Sequence, residues 1–308
     1  MIGDAVNMTD DDPRPPAASA RVAGPAHPRL SLNQATIKYA DLDEALAVTV
    51  GAGIQSIGLW REPIAELGLG QVVARIADSG LRVSSLCRGG FFTAVEGSER
   101  RRSIDDNRMA IAETAAVAAA GAPGSAAVLV MVAGGLPPGS RDLLGARERV
   151  RDAIGELEPE ARAAGITLAI EALHPMYAAD RAVVSTLGQA LELADQFPVS
   201  SVGVVVDTFH VWWDPRVLDD IARAGEGGRI ASYQVCDWMT PLPQDVLLAR
   251  GMMGDGHIDF GPITRAVEAA GYRGDVEVEI FNQAIWDAEP GSVAERTVQA
   301  FGAHIPLP

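Results

Sequence analysis

Val202-Gly203-Val204-Val205-Val206-Asp207 is a run of five apolar residues closed by a carboxylate. So short and so apolar a run reads as a parallel strand covered on both faces, and parallel barrels set their reactive groups at the C-terminal ends of such strands. Three further runs repeat the pattern: Ile166 to Ile170 closes on Glu171, Ile230 to Tyr233 on Gln234, and Val276-Glu277-Val278 on Glu279. The spacings between these ends are 36, 27 and 45 residues, each compatible with one βα step. Neighbouring strands would then present three carboxylates and one amide around one axis, a hard-oxygen set suited to a divalent cation.

Outward from these ends, short β-like runs alternate with longer amphipathic stretches. The strands are expected at Leu30 to Asn33, Ile54 to Trp60, Val83 to Arg88, Ala127 to Val132, Thr167 to Glu171, Val202 to Asp207, Ile230 to Cys236 and Asp275 to Phe281. Helical patterns between them include Leu42 to Val50, Ile64 to Ser79, Ile104 to Ala120, Ala146 to Ala164, Leu187 to Gln196, Val217 to Ala224 and Pro262 to Ala270. Gly51, Gly80, Gly121, Gly165 and Gly271 follow helices where left-handed caps are expected. Eight alternations in one chain of 308 residues predict an α/β fold, a closed (β/α)₈ TIM barrel. Gly89-Gly90 and Gly134-Gly135 do not form the GxGxxG turn of a dinucleotide site. Residues 29–308 are read as one barrel domain and residues 1–28, rich in Ala, Pro and Asp without periodicity, as a mobile tail.

Composition limits the partners. A net charge of −16 opposes binding to a phosphate backbone, so nucleic acid is not expected. No apolar run reaches the ~20 residues needed to cross a bilayer, and the first residues lack the basic start and apolar core of a signal peptide, which predicts a cytoplasmic protein. Cys87 and Cys236 lie in apolar strand contexts without metal-knuckle spacing and are read as buried free thiols.

Ile170-Glu171-Ala172-Leu173-His174-Pro175, Val206-Asp207-Thr208-Phe209-His210, Gln234-Val235-Cys236-Asp237 and Glu277-Val278-Glu279-Ile280 resemble successive strand ends of xylose-isomerase-like sugar isomerases and epimerases. The most specific elements are Asp-Thr-Phe-His and the later Arg250-x-x-x-Gly254-Asp255-Gly256 with Ile258-Asp259, which are similar to the ketose 3-epimerase and hydroxypyruvate isomerase branches. The resemblance implies a metal held by Glu171, Asp207, Gln234 and Glu279, Glu171 and Glu279 doubling as acid and base, and His210 and Arg250 facing the substrate. The family usually has histidine where this chain has Gln234. A neutral amide oxygen in its place should favour Mn²⁺ or Mg²⁺ over Zn²⁺, unless Gln234 contacts only substrate and the metal site is incomplete. His174 is a further candidate as acid, base, substrate contact or support for a ligand. Trp60, Arg88 and Trp212, at or just after strand ends, are candidate substrate contacts.

The expected activity is proton transfer beside the carbonyl of a sugar or keto-glycoside, giving isomerisation or epimerisation through an enediolate. Two alternatives share the barrel. One is a lyase that follows proton abstraction with β-elimination, as in keto-inositol dehydratases or the large subunit of C-glycoside deglycosidases, which work with a small partner subunit. The other is a barrel that binds sugar without turnover. A homo-oligomer is expected from similar proteins.

Overall fold

The computed structural model describes residues 25–95 and 97–308. Among them are ten strands: β1 (Leu30–Asn33), β2 (Ser56–Trp60), β3 (Arg82–Gly90), β4 (Val128–Val132), β5 (Thr167–Glu171), β6 (Val202–Asp207), β7 (Ile230–Val235), β8 (Asp237–Trp238), β9 (Arg250–Gly251) and β10 (Val276–Val278). Eight of them close into a parallel barrel in which β1 to β7 follow one another in order and β10 joins β7 back to β1. The expected TIM barrel is therefore the fold, with all eight expected strands in it. β8 and β9 form a small antiparallel hairpin inserted between β7 and β10, with Trp238 opposite Arg250.

The strands form because their side chains are buried on both faces. Outside the barrel, Leu30, Ile57, Leu86, Leu129, Ile170, Val204 and Tyr233 pack beneath the helices in one apolar layer. Inside, Cys87, Val128, Val130, Ala169 and Val205 form a separate small cluster. The other side of the interior is polar, with Ser31, Asn33, Ser84, Ser85, Gln234 and Glu277 all buried. That division leaves the β4 to β6 wall apolar and the opposite wall able to hold charge.

Several boundaries differ from expectation for local reasons. Gly68, at φ 83°, splits the stretch expected from Ile64 to Ser79 into Glu62–Leu67 and Leu69–Ser79. Gly80, Gly165 and Gly271 adopt the expected left-handed conformation, whereas Gly51 ends its helix and Gly53 takes the positive φ; Gly121 is not left-handed. β10 stops at Val278, so Glu279 lies one residue beyond the strand, and Asp275 below it pairs with Arg82 at 2.6 Å. A helix at Pro290–His304, outside the periodicity reading, packs against Leu42–Gly51 and β1. Of the expected tail, residues 1–24 lie outside the described residues, while Ala26 packs on the core and the His27 ring lies 5.9 Å from that of Phe301. Cys87 and Cys236 are buried and free. No described helix is long and apolar enough to cross a membrane.

Candidate active site at the C-terminal end of the barrel

Glu171 at the end of β5, His210 in the short helix Thr208–Val211 after β6, Arg250 at the start of β9 and Glu279 just past β10 meet at one cavity of about 850 Å³. Ligand atoms of Glu171, Asp207 and His210 lie within 4.8 Å of one another, and all three residues are buried. Asp207 is held in place by its own helix start, its Oδ1 accepting from the Phe209 amide at 2.8 Å. Arg250 reaches in from β9. Its Nη1 donates to Asp207 Oδ2 at 3.2 Å, to Glu279 Oε2 at 3.1 Å and to the Glu279 carbonyl at 3.2 Å.

Asp237, three residues after Gln234, explains how Arg250 is delivered. Its buried carboxylate accepts from the amides of Trp238, Gly254, Gly256 and Ile258 at 2.8 to 2.9 Å, tying the loop after β9 to the end of β7. Gly256 must be glycine there, since a Cβ would stand 2.2 Å from the Trp238 carbonyl oxygen. Asn282 completes the hold by donating to the Arg250 carbonyl at 2.8 Å.

His210 accepts the His174 backbone amide on Nδ1 at 3.1 Å. Burial, then the charge of Arg250, lowers its basicity well below the usual range, so the ring is neutral and its proton sits on Nε2. That N–H stands 3.0 Å from Arg250 Nη2, another donor. Two donors facing each other do not bond, and an oxygen entering from the cavity would accept from both.

Gln234 donates Nε2 to Glu277 Oε1 at 3.1 Å and leaves its own buried Oε1 without a partner. Glu277 also accepts from Asn33 Nδ2 at 2.5 Å, Ser84 Oγ at 2.5 Å and Ser85 Oγ at 2.8 Å. Ser84 is the extra residue of a bulge against β2, which turns two successive hydroxyls to the same carboxylate. Sequence reasoning passed over Glu277 as a strand residue; a lone carboxylate inside an apolar run was the available signal.

The remaining candidates divide. Trp60 and Arg88 line the cavity, Trp60 fixed by its Nε1 donating to Asn33 Oδ1 at 2.9 Å. His174 and Trp212 do not line it. The His174 ring lies 5.4 Å from Trp213 and 5.0 Å from Trp238, and Trp212 stacks 5.7 Å from Trp238. Phe91, Phe281, Lys38 and Arg181 line the cavity without having been singled out.

Burial dominates the carboxyl groups. It pushes Glu171 well above the carboxylate range, with Asp207 and Glu279 adding repulsion, and pushes Glu279 up to about 7 against the pull of Arg250. Asp207 is also raised, because burial outweighs its ion pair with Arg250. Glu171 Oε1, like Gln234 Oε1, is buried without a partner. Two orphaned oxygens among carboxylates held by a single guanidinium fit a divalent cation.

The sequence matches the xylose isomerase-like TIM barrel family over residues 46–301. The chain belongs to that family. A solved structure of protein SMc04130 from Sinorhizobium meliloti 1021 is 45% identical, covering 90% of this chain and 98% of that one, with a TM-score of 0.84. The L-ribulose 3-epimerase of Mesorhizobium japonicum is 25% identical over 260 residues, 82% of this chain and 80% of the relative. The 3-dehydroshikimate dehydratase of Pseudomonas aeruginosa is 30% identical over 148 residues, 46% of this chain and 22% of the relative. The xylose isomerase-like superfamily thus includes sugar epimerases and dehydratases.

Proposed function

We propose that this barrel is a divalent-metal-dependent isomerase or epimerase of a keto-sugar, working by proton transfer next to a carbonyl. The observation that carries the reading is the placement of Glu171 and Glu279, both buried and both held above the ordinary carboxylate range, on one cavity with Arg250 and His210. In the cation-free site burial raises both carboxyls above their ordinary range, and a carboxyl lifted towards neutrality exchanges a proton near pH 7 more readily than one at its usual value. Glu171 and Glu279 would act as base and acid. The guanidinium of Arg250 and the Nε2 proton of His210 would hold the substrate oxygen that gains charge. Trp60 and Phe281, 5.6 Å apart, offer an apolar wall to the C–H face of a sugar. Glu171, Asp207, Gln234 and Glu279 would hold the cation, which when bound supplies positive charge beside the carbonyl and neighbouring hydroxyl oxygens. Return of the proton to the neighbouring carbon gives isomerisation, and return to the opposite face of the same carbon gives epimerisation.

The likeness to a dehydratase favours one second reading. The same proton abstraction followed by loss of a β-hydroxyl group yields water and an unsaturated ketone. Proton–deuterium exchange by NMR tests both, in D₂O with Mn²⁺ preloaded, across free ketoses and 3-keto-glycosides. The wild type is expected to exchange the proton beside the carbonyl and Glu279→Gln to lose exchange. An ultraviolet-absorbing enone would select dehydration, and no exchange on any substrate would overturn enolisation altogether.

A further inference from the structure

Arg88 stands apart from most of the described arginines. Its neighbour Cys87 faces the barrel interior, its Sγ 3.9 Å from Glu279 Oε1, so regular alternation would send the next side chain outward to the helices. The register between β3 and β4 instead slips between Cys87 and Gly89, which makes Arg88 the extra residue of a bulge. Bulges re-aim side chains, and this one puts Arg88 on the cavity shared by Glu171, Glu279 and Arg250.

Arg88 is half-buried. Among the described residues the other buried and half-buried arginines, such as Arg61, Arg82, Arg147 and Arg229, donate to a carboxylate or a carbonyl, except Arg181, whose contacts to Asp180 and Asp245 are ion pairs at 3.7 Å; Arg88 has neither a hydrogen bond nor an ion pair. Its guanidinium carbon lies 4.4 Å from the centre of the Phe91 ring and 5.8 Å from that of Trp60. Aromatic faces restrain the guanidinium plane and supply no acceptor, so the N–H fork is left for a ligand. Of the other cavity cations, Arg250 binds Asp207 and Glu279, Arg181 is paired at 3.7 Å with Asp180 and Asp245, and Lys38, exposed and 4.3 Å over the Trp286 ring, is an ammonium without a planar fork.

We propose that Arg88 binds a carboxylate carried by the substrate, so that the keto-sugar turned over here is a ketose acid. This deepens the proton-transfer reading and rests on it for the reacting end. A carboxylate matches the planar fork with two parallel hydrogen bonds. A doubly charged phosphate fits less well, because Asp41, Glu62 and Asp180 line the same cavity.

Isothermal titration with D-fructose, D-fructuronate and D-fructose 6-phosphate, which differ only at C6, tests the proposal, with the tagatose series alongside. A uronate is expected to bind at least about tenfold more tightly than its parent ketose. That ratio should fall towards one in Arg88→Leu and recover in part in Arg88→Lys, with thermal unfolding confirming that both variants fold. Equal affinity for uronate and ketose, absence of uronate binding, tighter binding of the phosphate, or a ratio untouched in Arg88→Leu would overturn it. Deuterium exchange on neutral ketoses without uronate preference would leave proton transfer standing and remove only the carboxylate site. Arg88-dependent uronate binding without exchange would do the reverse.

Discussion

Gln234 has a buried amide oxygen without a partner, at the position where the sequence resemblance implies an imidazole, and its Nε2 is committed to Glu277 at 3.1 Å. The free oxygen is a neutral hard donor. Protein purified without added metal is therefore expected to carry manganese or magnesium, with Gln234→His shifting the content towards zinc; mass spectrometry of the metals reads this, and stoichiometric zinc in the wild type would contradict it. Glu277 keeps that amide oriented and satisfies Asn33, Ser84 and Ser85 as well. Glu277→Ala leaves the buried donors of Asn33, Ser85 and Gln234 without an acceptor, Ser84 keeping Ser31 Oγ at 2.8 Å, and should cost about 3 kcal/mol or more in urea unfolding. Glu277→Gln tests positioning more gently, with Mn²⁺ affinity expected to fall by about tenfold or more in a titration followed by electron paramagnetic resonance. Unchanged affinity would confine Glu277 to a role in stability.

At the scale of elements, the β8–β9 hairpin and the loop behind it decide where Arg250 stands. Four backbone amides converge on Asp237, and its replacement by Ala frees the segment that carries the guanidinium. Asp237→Ala should slow exchange by about a hundredfold or more if Arg250 stabilises the charge-bearing oxygen, as the loss of such a donor does elsewhere. Gly256→Ala should show the same defect by a different cause, since its Cβ would meet the Trp238 carbonyl oxygen at 2.2 Å. Parallel exchange rates and unfolding curves separate a misplaced arginine from a broken barrel. Wild-type exchange in both variants would remove Arg250 from the chemistry.

Across the whole molecule, a chain of net charge −16 gathers Glu171, Asp207, Glu277 and Glu279 into one barrel, with Arg250 as the buried counter-ion of Asp207 and Glu279. The sign of the resulting pH dependence follows from Glu279, which burial raises from 4.5 to about 7. The folded protein holds this proton where the unfolded chain has released it, so the contribution is present below pH 4.5 and is lost as pH rises through 7. Glu171 and Glu277, raised in the same direction, act with it. Calorimetry of metal-free protein is expected to show Tm falling between pH 5 and pH 8, with the fall reduced once Mn²⁺ saturates the site. A metal-free Tm that rises over that interval would contradict this account.

The eight barrel strands, the alternation that closes them and the placement of Glu171, Asp207, Gln234 and Glu279 within one residue of strand ends were legible in the sequence. Each depends on a local property, a short apolar run buried on both faces and the residue that closes it. Arg250 was legible through its glycine pattern. The tertiary structure alone decided which way side chains face where alternation breaks: the bulge at Ser84 gathers two hydroxyls on Glu277, and the bulge at Arg88 turns a guanidinium into the cavity. It also left the His174 ring and Trp212 out of the cavity lining, though both lie beside the motifs, His174 packing on Trp213 and Trp238 and Trp212 on Trp238. Strand register and the packing of distant aromatic rings are set by contacts between residues far apart in the chain, and no local pattern encodes them.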